Sequence, residues 1–252
     1  MTAPRPTRRT PSTRKSRPQP APPPESASPD RPPITLIVGT ATGVGKTWIT
    51  CAIARALLAA GQQVIAVKPI ETGCVEPPDP NEDGARLAEA TGQAGPRRAL
   101  VRLPGLVAPA IAADQAGLTV GYDDLIARLR SMSTTDALLL VEGAGGLLSP
   151  LTWSDNHLDL AHSLDARVLL VAADRLGTIS HTLMALRVLQ AEKISVLGVV
   201  LNQPGEPDES TRTNAGALQR LAEHVPIVTV PNLTDPLQAA EAVKEVAGWL
   251  LP

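Results

Sequence analysis

The chain has 252 residues, of which 43% are apolar and only 2% aromatic, with a net charge of −2 and two cysteines. That length can bury one sizeable core, and aliphatic side chains must fill it. Seven Lys and Arg residues lie within residues 1–33, so the remainder is acidic, which argues against a nucleic-acid-binding body. No apolar run reaches the length of a membrane span, and the first residues lack the apolar segment of a secretory signal. We therefore expect a cytoplasmic protein with reduced thiols and no membrane or nucleic-acid partner.

Residues 1–33 differ in composition from the rest of the chain, being rich in proline and in basic side chains. This composition predicts a disordered basic tail, followed by a single domain over residues 34–252. Two other interpretations of the tail stay open. It could tether the protein to a nucleic acid or a membrane, or the start codon could lie too far upstream.

From residue 34 onward, short apolar runs alternate with segments of helical periodicity. The runs predicted as strands are residues 34–39, 64–69, 137–146, 166–174, 196–202 and 227–231. The predicted helices are residues 46–60, 82–91 (with Asn81 as the N-cap), 109–117, 121–131, 156–164, 178–191, 210–222 and 235–250. Such alternation predicts an α/β fold with a doubly wound, mainly parallel sheet and helices on both faces. Ligands of such sheets bind at the carboxyl ends of the strands.

The segment GTATGVGKT, residues 39–47, joins the first strand to the first helix. It resembles a phosphate-binding loop, although its first glycine stands one residue earlier than the usual spacing requires. Gly43 and Gly45 would let backbone N–H groups surround phosphate oxygens, and Lys46 would reach the β- and γ-phosphates. The alternative is an ordinary glycine-rich turn, but glycines followed by Lys-Thr at a helix start favour a nucleotide site.

Three side chains could hold a magnesium ion at the same edge of the sheet. Thr47 offers a hydroxyl, and Glu142 is a carboxylate at the end of the strand 137–142. Asp83 is the candidate for a third ligand. From spacing alone, it could equally be an acid that stabilises the first turn of its helix.

Lys68 ends a buried strand, where an unpaired charge is unfavourable. It could form a structural ion pair with Glu71 or Glu142. It could instead point into the phosphate cleft and stabilise charge on a transferring group. The four histidines show no zinc spacing and no paired nucleophile, so we expect them at the surface or in packing contacts.

Five segments, in this order and spacing, resemble the dethiobiotin synthetase family. They are VGTATGVGKT, VKPIETG, VEGAGGLLSPL, RLGTISHT and VVLNQPG, and the resemblance spans roughly residues 34–235. It implies a P-loop NTPase-like ligase of biotin biosynthesis that uses ATP and Mg²⁺. Such an enzyme condenses CO2 with 7,8-diaminopelargonate through a phosphorylated carbamate and releases ADP and phosphate. Members of the family are homodimers, so the resemblance also implies a homodimer here.

The resemblance assigns a role to each matching position. The phosphates would be held by Gly43, Val44, Gly45, Lys46, Thr47 and Trp48, and magnesium by Thr47, Asp83 and Glu142. Lys68 would act on the carbamate with Lys46 as the second catalytic lysine, and Thr72 would contact the substrate. The cleft would be lined by Gly143, Ala144 and Gly145, and the adenine pocket edged by Asn202, Gln203, Pro231, Asn232 and Leu233.

Three positions depart from the family pattern. Ala41 replaces an acid found in some members, Ser180 stands where asparagine is common, and Gln203 stands where an aspartate often follows the adenine-binding asparagine. Three alternatives to the family share some of these features. Amidating synthetases that share this loop carry a glutaminase domain, for which this chain has no room. Partition-type ATPases carry a second loop lysine, which Ala41 replaces here, and a nucleotide sensor without turnover would not need Lys68.

Overall fold

The computed structural model of the protein describes residues 33–251. The tail predicted over residues 1–33 therefore lies outside the described residues, apart from Pro33. Within the described range there are eight strands. They are β1 (Thr35–Gly39), β2 (Val64–Val67), β3 (Ile70–Thr72), β4 (Val101–Leu103), β5 (Leu138–Gly146), β6 (Arg167–Ala173), β7 (Val196–Asn202) and β8 (Ile227–Val230).

Helices connect the strands along residues 33–251. They are α1 (Lys46–Ala59), α2 (Asp83–Thr91), α3 (Pro109–Gln115), α4 (Tyr122–Met132), α5 (His157–Leu164), α6 (Thr178–Ala191), α7 (Asn214–Leu221), α8 (Pro236–Ala242) and α9 (Lys244–Leu250). Among the described residues, no helix combines the length and the apolar character needed to cross a bilayer.

Six of the strands form one parallel sheet in the order β2-β5-β1-β6-β7-β8. The first strand of the chain thus lies near the middle, between β5 and β6. The strand order reverses direction beside β1, and such a reversal opens a crevice at the carboxyl ends of the strands. The prediction of a doubly wound parallel sheet is confirmed.

The core lies on both faces of this sheet, because alternate residues of a strand point to opposite sides. In β1, Leu36 and Val38 belong to one apolar cluster and Ile37 belongs to the other. Residues of α3 to α7 complete the first cluster, and residues of α1, α2, α8 and α9 complete the second. Aliphatic side chains supply almost all of this packing, as the composition requires.

The end of β5 does not follow β1 in regular register. Ile37 pairs with Glu142, and the next pair is Gly39 with Gly146, so four steps along β5 match two steps along β1. The extra residues of β5, 143–145, form a bulge in the pairing with β1. This bulge places the glycine-rich end of β5 beside the chain that leaves β2, where Lys68 lies.

Two elements differ from the predicted pattern because they are short or interrupted. Residues 70–72 and 101–103 form a separate two-stranded parallel ribbon, and strands of three residues are too short to show alternation. The helix predicted over residues 235–250 divides at Val243 into α8 and α9.

One predicted helix start and one predicted N-cap were also wrong, because local side-chain bonds compete with the helix. α7 begins at Asn214 rather than at residue 210, since Asp208 accepts hydrogen bonds from Ser210 and Thr211 in a turn. Asn81 does not cap α2, because its side chain bonds to Asp79.

Candidate active site

An open cleft of about 350 Å³ lies at the carboxyl ends of the central strands. This volume is within the range of small-molecule pockets, roughly 300 to 1,000 Å³. The predicted site residues that line it are Gly43, Gly45, Lys46, Thr47, Trp48, Lys68, Thr72, Asp83, Ala144 and Gly145. The cleft also includes Thr42, Glu71, Arg86 and Leu106. Thr42 and Glu71 lie within the motifs quoted above but were given no place in the cleft, whereas Arg86 and Leu106 lie outside those motifs.

The phosphate-binding loop between β1 and α1 forms one wall of the cleft. Gly43 and Gly45 have φ angles of 74° and 90°, which a residue with a Cβ rarely adopts. A Cβ on Gly39 would lie 3.1 Å from Nζ of Lys46 and 2.8 Å from the carbonyl oxygen of Ala41. The displaced first glycine therefore leaves room for the lysine of the loop.

Lys46 lies in the first turn of α1 and folds back over the loop. Its Nζ donates a 3.3 Å hydrogen bond to the carbonyl oxygen of Ala41. Burial lowers the pKa of Lys46 to about 8, and the nearby charge of Lys68 acts in the same direction. Lys46 is still mostly a cation at neutral pH. Ala41, which stands where the expected pattern has an acid in some members, contacts Lys46 through its backbone carbonyl.

Lys68 is only 4% exposed and is bound on three sides. Its Nζ lies 2.7 Å from Oδ2 of Asp83 and 2.7 Å from Oε1 of Glu142. It also donates a 3.3 Å hydrogen bond to the carbonyl oxygen of Gly143. An ammonium group has three N–H donors, so these contacts use all of them. Of the two acids considered from the sequence, Glu142 forms the ion pair, and Asp83 joins it.

The pKa values of this cluster follow from burial and pairing. Burial alone would lower the pKa of Lys68, but the carboxylates of Glu142 and Asp83 raise it above its ordinary range. Burial acts to raise the pKa of Asp83, whereas the charge of Lys68 and the hydrogen bond from Lys68 bring it below its usual value. Lys68 is therefore a cation and Asp83 an anion at neutral pH.

Thr47 and Glu142 supply the observation that bears on magnesium. The Thr47 hydroxyl donates a 2.8 Å hydrogen bond to Oε1 of Glu142. The other oxygen, Oε2, is buried and has no hydrogen-bond partner. A buried carboxylate oxygen without a partner is unfavourable, and a hard cation or one of its waters would satisfy it. Thr47, Asp83 and Glu142 come from separate segments and meet around Lys68, so the donor set fits Mg²⁺.

Glu71, considered from the sequence only as a partner of Lys68, has a different role, which was missed because it depends on a contact between distant segments. It lies in β3 with 7% exposure, and its carboxylate accepts hydrogen bonds from the backbone N–H groups of Asp83 and Gly84. These groups are at the N-terminus of α2, where helices leave donors unpaired. Burial raises the pKa of Glu71, and the two backbone bonds oppose that shift. Glu71 thus fixes the turn that carries Asp83.

Asn202, predicted at the adenine pocket, lies at the end of β7 and braces the phosphate-binding loop. Its Nδ2 donates a 3.0 Å hydrogen bond to the carbonyl oxygen of Val44, and its side chain fills the space that a Cβ on Gly45 would need. Gln203 and residues 231–233 follow β7 and β8, and none of them lines the described cleft.

The segment 143–146 forms a second wall of the cleft, directly beside the phosphate-binding loop. Gly145 has a φ of 75°, and a Cβ there would lie 2.5 Å from Oγ of Ser149. Ser149 accepts a 2.9 Å hydrogen bond from the Gly146 N–H. The Ala144 N–H donates a 3.0 Å hydrogen bond to Nε2 of His157. His157 is buried, as expected for a packing residue, but its bond to the cleft wall has no signal in the sequence.

Two comparisons bear on the fold. A family model described as an AAA domain matches residues 35–239. The septum site-determining protein MinD of Pyrococcus horikoshii, solved with Mg-ADP, is similar with a TM-score of 0.51 and 22% identity. The similarity covers 86% of this chain and 98% of that one. The fold is therefore that of the P-loop NTPases.

Sequence comparison narrows the family. An ATP-dependent dethiobiotin synthetase of Anaeromyxobacter dehalogenans is 38% identical over 216 residues, which is 84% of this chain and 96% of that protein. Its counterpart in a Caulobacter species is 39% identical over 232 residues, 86% of this chain and 99% of that protein. The Mycobacterium marinum protein of the same name is 41% identical over 192 residues, 75% of this chain and 83% of that protein. With its phosphate-binding loop, its buried lysine and these relatives, the chain belongs to the ATP-dependent dethiobiotin synthetase family.

Proposed function

We propose that the protein converts 7,8-diaminopelargonate, CO2 and ATP to dethiobiotin, ADP and phosphate. One amine of the diamine takes up CO2 as a carbamate, and ATP phosphorylates the carbamate oxygen. The second amine then attacks the carbamate carbon, closes the cyclic urea and expels phosphate. The protons lost by the two amines pass to solvent.

The observation that carries this proposal is the position of Lys68. Its ammonium group lies at the cleft edge between Asp83 and Glu142, while the phosphate-binding loop forms the adjoining wall. A cation held there can stabilise the negative charge of a carbamate and of the phosphoryl group that it receives. Since the two amines of the substrate act as nucleophiles, the protein needs to supply none.

Positioning is the main task of the other cleft residues. The N–H groups of the loop from Gly43 to Trp48 would hold the phosphates together with Lys46. Ala144 and Gly145 would leave room on the neighbouring wall for the diamine, and Thr72, which lines the same cleft at the end of β3, would contact it. Holding the carbamate against the terminal phosphate would supply much of the rate acceleration.

Thr47, Asp83 and Glu142 would hold the magnesium ion that accompanies ATP. The unpartnered Oε2 of Glu142 supports this assignment. When bound, the ion would neutralise charge on the phosphates. Asn202, Gln203, Pro231, Asn232 and Leu233 would form the adenine pocket. Their location at the ends of β7 and β8, on the far side of the phosphate-binding loop, supports that role.

We also propose that the protein is a homodimer. Four large apolar side chains are exposed: Leu106, which lines the cleft, by 85%, Trp153 by 69%, Leu148 by 56% and Ile111 by 38%. Their segments contact one another, because Ala110 N–H bonds to the carbonyl of Pro150 and Trp153 bonds to Asp114. Apolar groups clustered in this way favour burial against a second copy. Light scattering would show a monomer for Leu148→Asp if this surface forms the dimer.

Residues 34–252 would form one catalytic domain that works in the cytoplasm. The two core clusters share a single sheet, which supports one domain over the described residues. Cys51 and Cys74 are both free and buried, which suits a reducing compartment.

The proposed reaction is tested by incubating the protein with 7,8-diaminopelargonate, bicarbonate, ATP and Mg²⁺. Mass spectrometry should detect dethiobiotin, with one phosphate released for each molecule formed. Omitting the diamine or replacing Lys68 with alanine should abolish dethiobiotin. Phosphate release without dethiobiotin in the complete mixture would contradict the proposal.

A further inference from the structure

The peptide group between Gly143 and Ala144, in the cleft wall, forms a side-chain hydrogen bond at both its carbonyl and its N–H. The carbonyl oxygen of Gly143 accepts a hydrogen bond from Nζ of Lys68 at 3.3 Å. The N–H of Ala144 belongs to the same peptide group and donates to Nε2 of His157 at 3.0 Å. Because a peptide group is planar, fixing the direction of its N–H also fixes the direction of its carbonyl.

His157 is itself held firmly. It is the first residue of α5 and is only 1% exposed. The start of this helix is fixed by a reciprocal cap, in which Asn156 accepts from the Leu158 N–H and Asp159 accepts from the Asn156 N–H. A Cβ on Gly143 would lie 2.6 Å and 2.7 Å from two atoms of the imidazole ring. The ring therefore packs directly on the backbone of residue 143.

The contact also defines the protonation of the ring. Since Nε2 accepts a hydrogen bond, the proton of the neutral imidazole lies on Nδ1. Burial lowers the pKa of His157 to about 4, and the charges of Lys46 and Lys68 act in the same direction. The backbone carbonyls of Leu147 and Gly146 act in the opposite direction. At neutral pH, Nε2 is thus a permanent acceptor.

We propose that His157 is a positioning residue for Lys68 and acts through the Gly143–Ala144 peptide. Its Nε2 keeps the peptide in the orientation that presents the Gly143 carbonyl to the ammonium group. In the flipped orientation, the Ala144 N–H would face Lys68 and repel it, and one of the three donors would lose its partner. The consequence for carbamate chemistry rests on the proposed function.

Two substitutions of similar size distinguish the effect of the hydrogen-bond acceptor from the effect of the volume of the ring. His157→Gln places an amide oxygen near the position of Nε2, whereas His157→Met fills the space without an acceptor. We expect His157→Met to lower kcat about tenfold with KM for ATP changed less than about twofold, and His157→Gln to recover most of the loss. The double variant with His157→Met and Lys68→Ala should release residual phosphate at a rate within about twofold of Lys68→Ala alone. His157 is proposed to act through the Lys68 ammonium group, so its replacement has little further effect once that group is gone. Additive losses would overturn the inference.

A nuclear magnetic resonance measurement needs no turnover. The Nζ hydrogens of Lys68 should exchange slowly with water in the wild type and in His157→Gln, and at least about tenfold faster in His157→Met. Nitrogen shifts should show an unprotonated Nε2 on His157. A proton on Nε2, or unchanged Lys68 exchange in His157→Met, would overturn the inference.

If the wild type shows both signatures but forms no dethiobiotin, the proposed function fails and the positioning role stands. If His157→Met does not fold, His157→Asn, whose amide is too short to reach Ala144, replaces it.

Discussion

The hydroxyl of Thr47 donates a 2.8 Å hydrogen bond to Oε1 of Glu142, which joins the first turn of α1 to the middle of β5. The same oxygen lies 2.7 Å from Nζ of Lys68. One carboxylate oxygen therefore ties the phosphate-binding loop to the buried lysine. The second oxygen of Glu142 is left without a partner, and it marks the place where a cation is expected.

Glu142→Gln should leave a folded protein that needs a much higher Mg²⁺ concentration. The amide keeps the shape and hydrogen-bonding capacity of the side chain but removes the charge that attracts the cation. We expect the half-saturating Mg²⁺ concentration to rise at least about tenfold, equivalent to about 1.4 kcal/mol, with a steep loss of turnover. Activity titrated against Mg²⁺ measures the shift, and circular dichroism checks the fold.

Glu241→Gln is the matched control for this experiment. Glu241 is 68% exposed and pairs with Lys244 on the surface, away from the cleft. Its titration curve should superimpose on that of the wild type. If the Glu142→Gln curve also superimposes, Glu142 does not serve the metal and is only the structural partner of Lys68.

The two lysines of the cleft should have separable roles. Lys46→Ala should weaken nucleotide binding and turnover together, because Lys46 folds over the phosphate-binding loop. Lys68→Ala should retain ATP binding and lose dethiobiotin formation. Calorimetry with ATP and a dethiobiotin assay measure the two effects. Loss of ATP affinity in Lys68→Ala, with turnover retained at saturating ATP, would show that these assignments are wrong.

A shortened chain that begins at Pro32 should fold and turn over like the full chain. The composition changes at residue 34, and the first core residues, Ile34 and Thr35, follow directly. Melting temperature, light scattering and activity should all match those of the full chain. A large fall in any of them would assign a structural role to residues 1–31.

Gly198→Ala should destabilise the protein through overpacking. A Cβ at this position in β7 would overlap the ring of Trp249 and lie 2.9 Å from the carbonyl oxygen of Pro226. We expect a loss of about 1 to 3 kcal/mol in the free energy of unfolding by urea. Gly216→Ala is the control, because nothing lies near that position in α7 and alanine favours a helix by up to about 1 kcal/mol. Equal effects at the two sites would contradict this reading of the packing.

The pH dependence of stability should carry a contribution from His157. Its pKa falls from 6.5 to about 4 on folding, chiefly because of burial. Between these values the unfolded chain binds more protons than the folded one, so stability rises with pH through this window and is complete above 6.5. We expect a loss on the order of 2 kcal/mol from this residue between pH 8 and pH 5. Urea unfolding at both pH values should show that loss in the wild type and not in His157→Gln. The same pH dependence in the two proteins would contradict the prediction.

The sequence predicted the sheet and most of the residues that line the cleft, because those features have a signal in the local sequence. The strands that became β1, β5, β6 and β7 are long aliphatic runs, and Gly43 to Thr47 form a contiguous motif. Glu142 and Lys68 were identifiable because a charged residue at the end of a buried strand is unusual. Their meeting at the cleft follows from the parallel order of the strands.

What escaped prediction depends on contacts between distant segments. Glu71 caps a helix that begins twelve residues later, and nothing in the residues around it indicates that partner. His157 reaches a peptide group thirteen residues earlier in the chain. The β3–β4 ribbon consists of three-residue strands, which carry too few side chains for a period to be recognised. Each of these features is set by tertiary packing rather than by local sequence.

The helix cap formed by Glu71 has a consequence for the loop it closes. Glu71 stands three residues after Lys68, and through the N–H groups of residues 83 and 84 it also anchors the turn that carries Asp83. Both ends of the connection 73–82 are thereby pinned to one carboxylate. Residues could be inserted in or removed from the middle of that connection without separating the lysine from its aspartate.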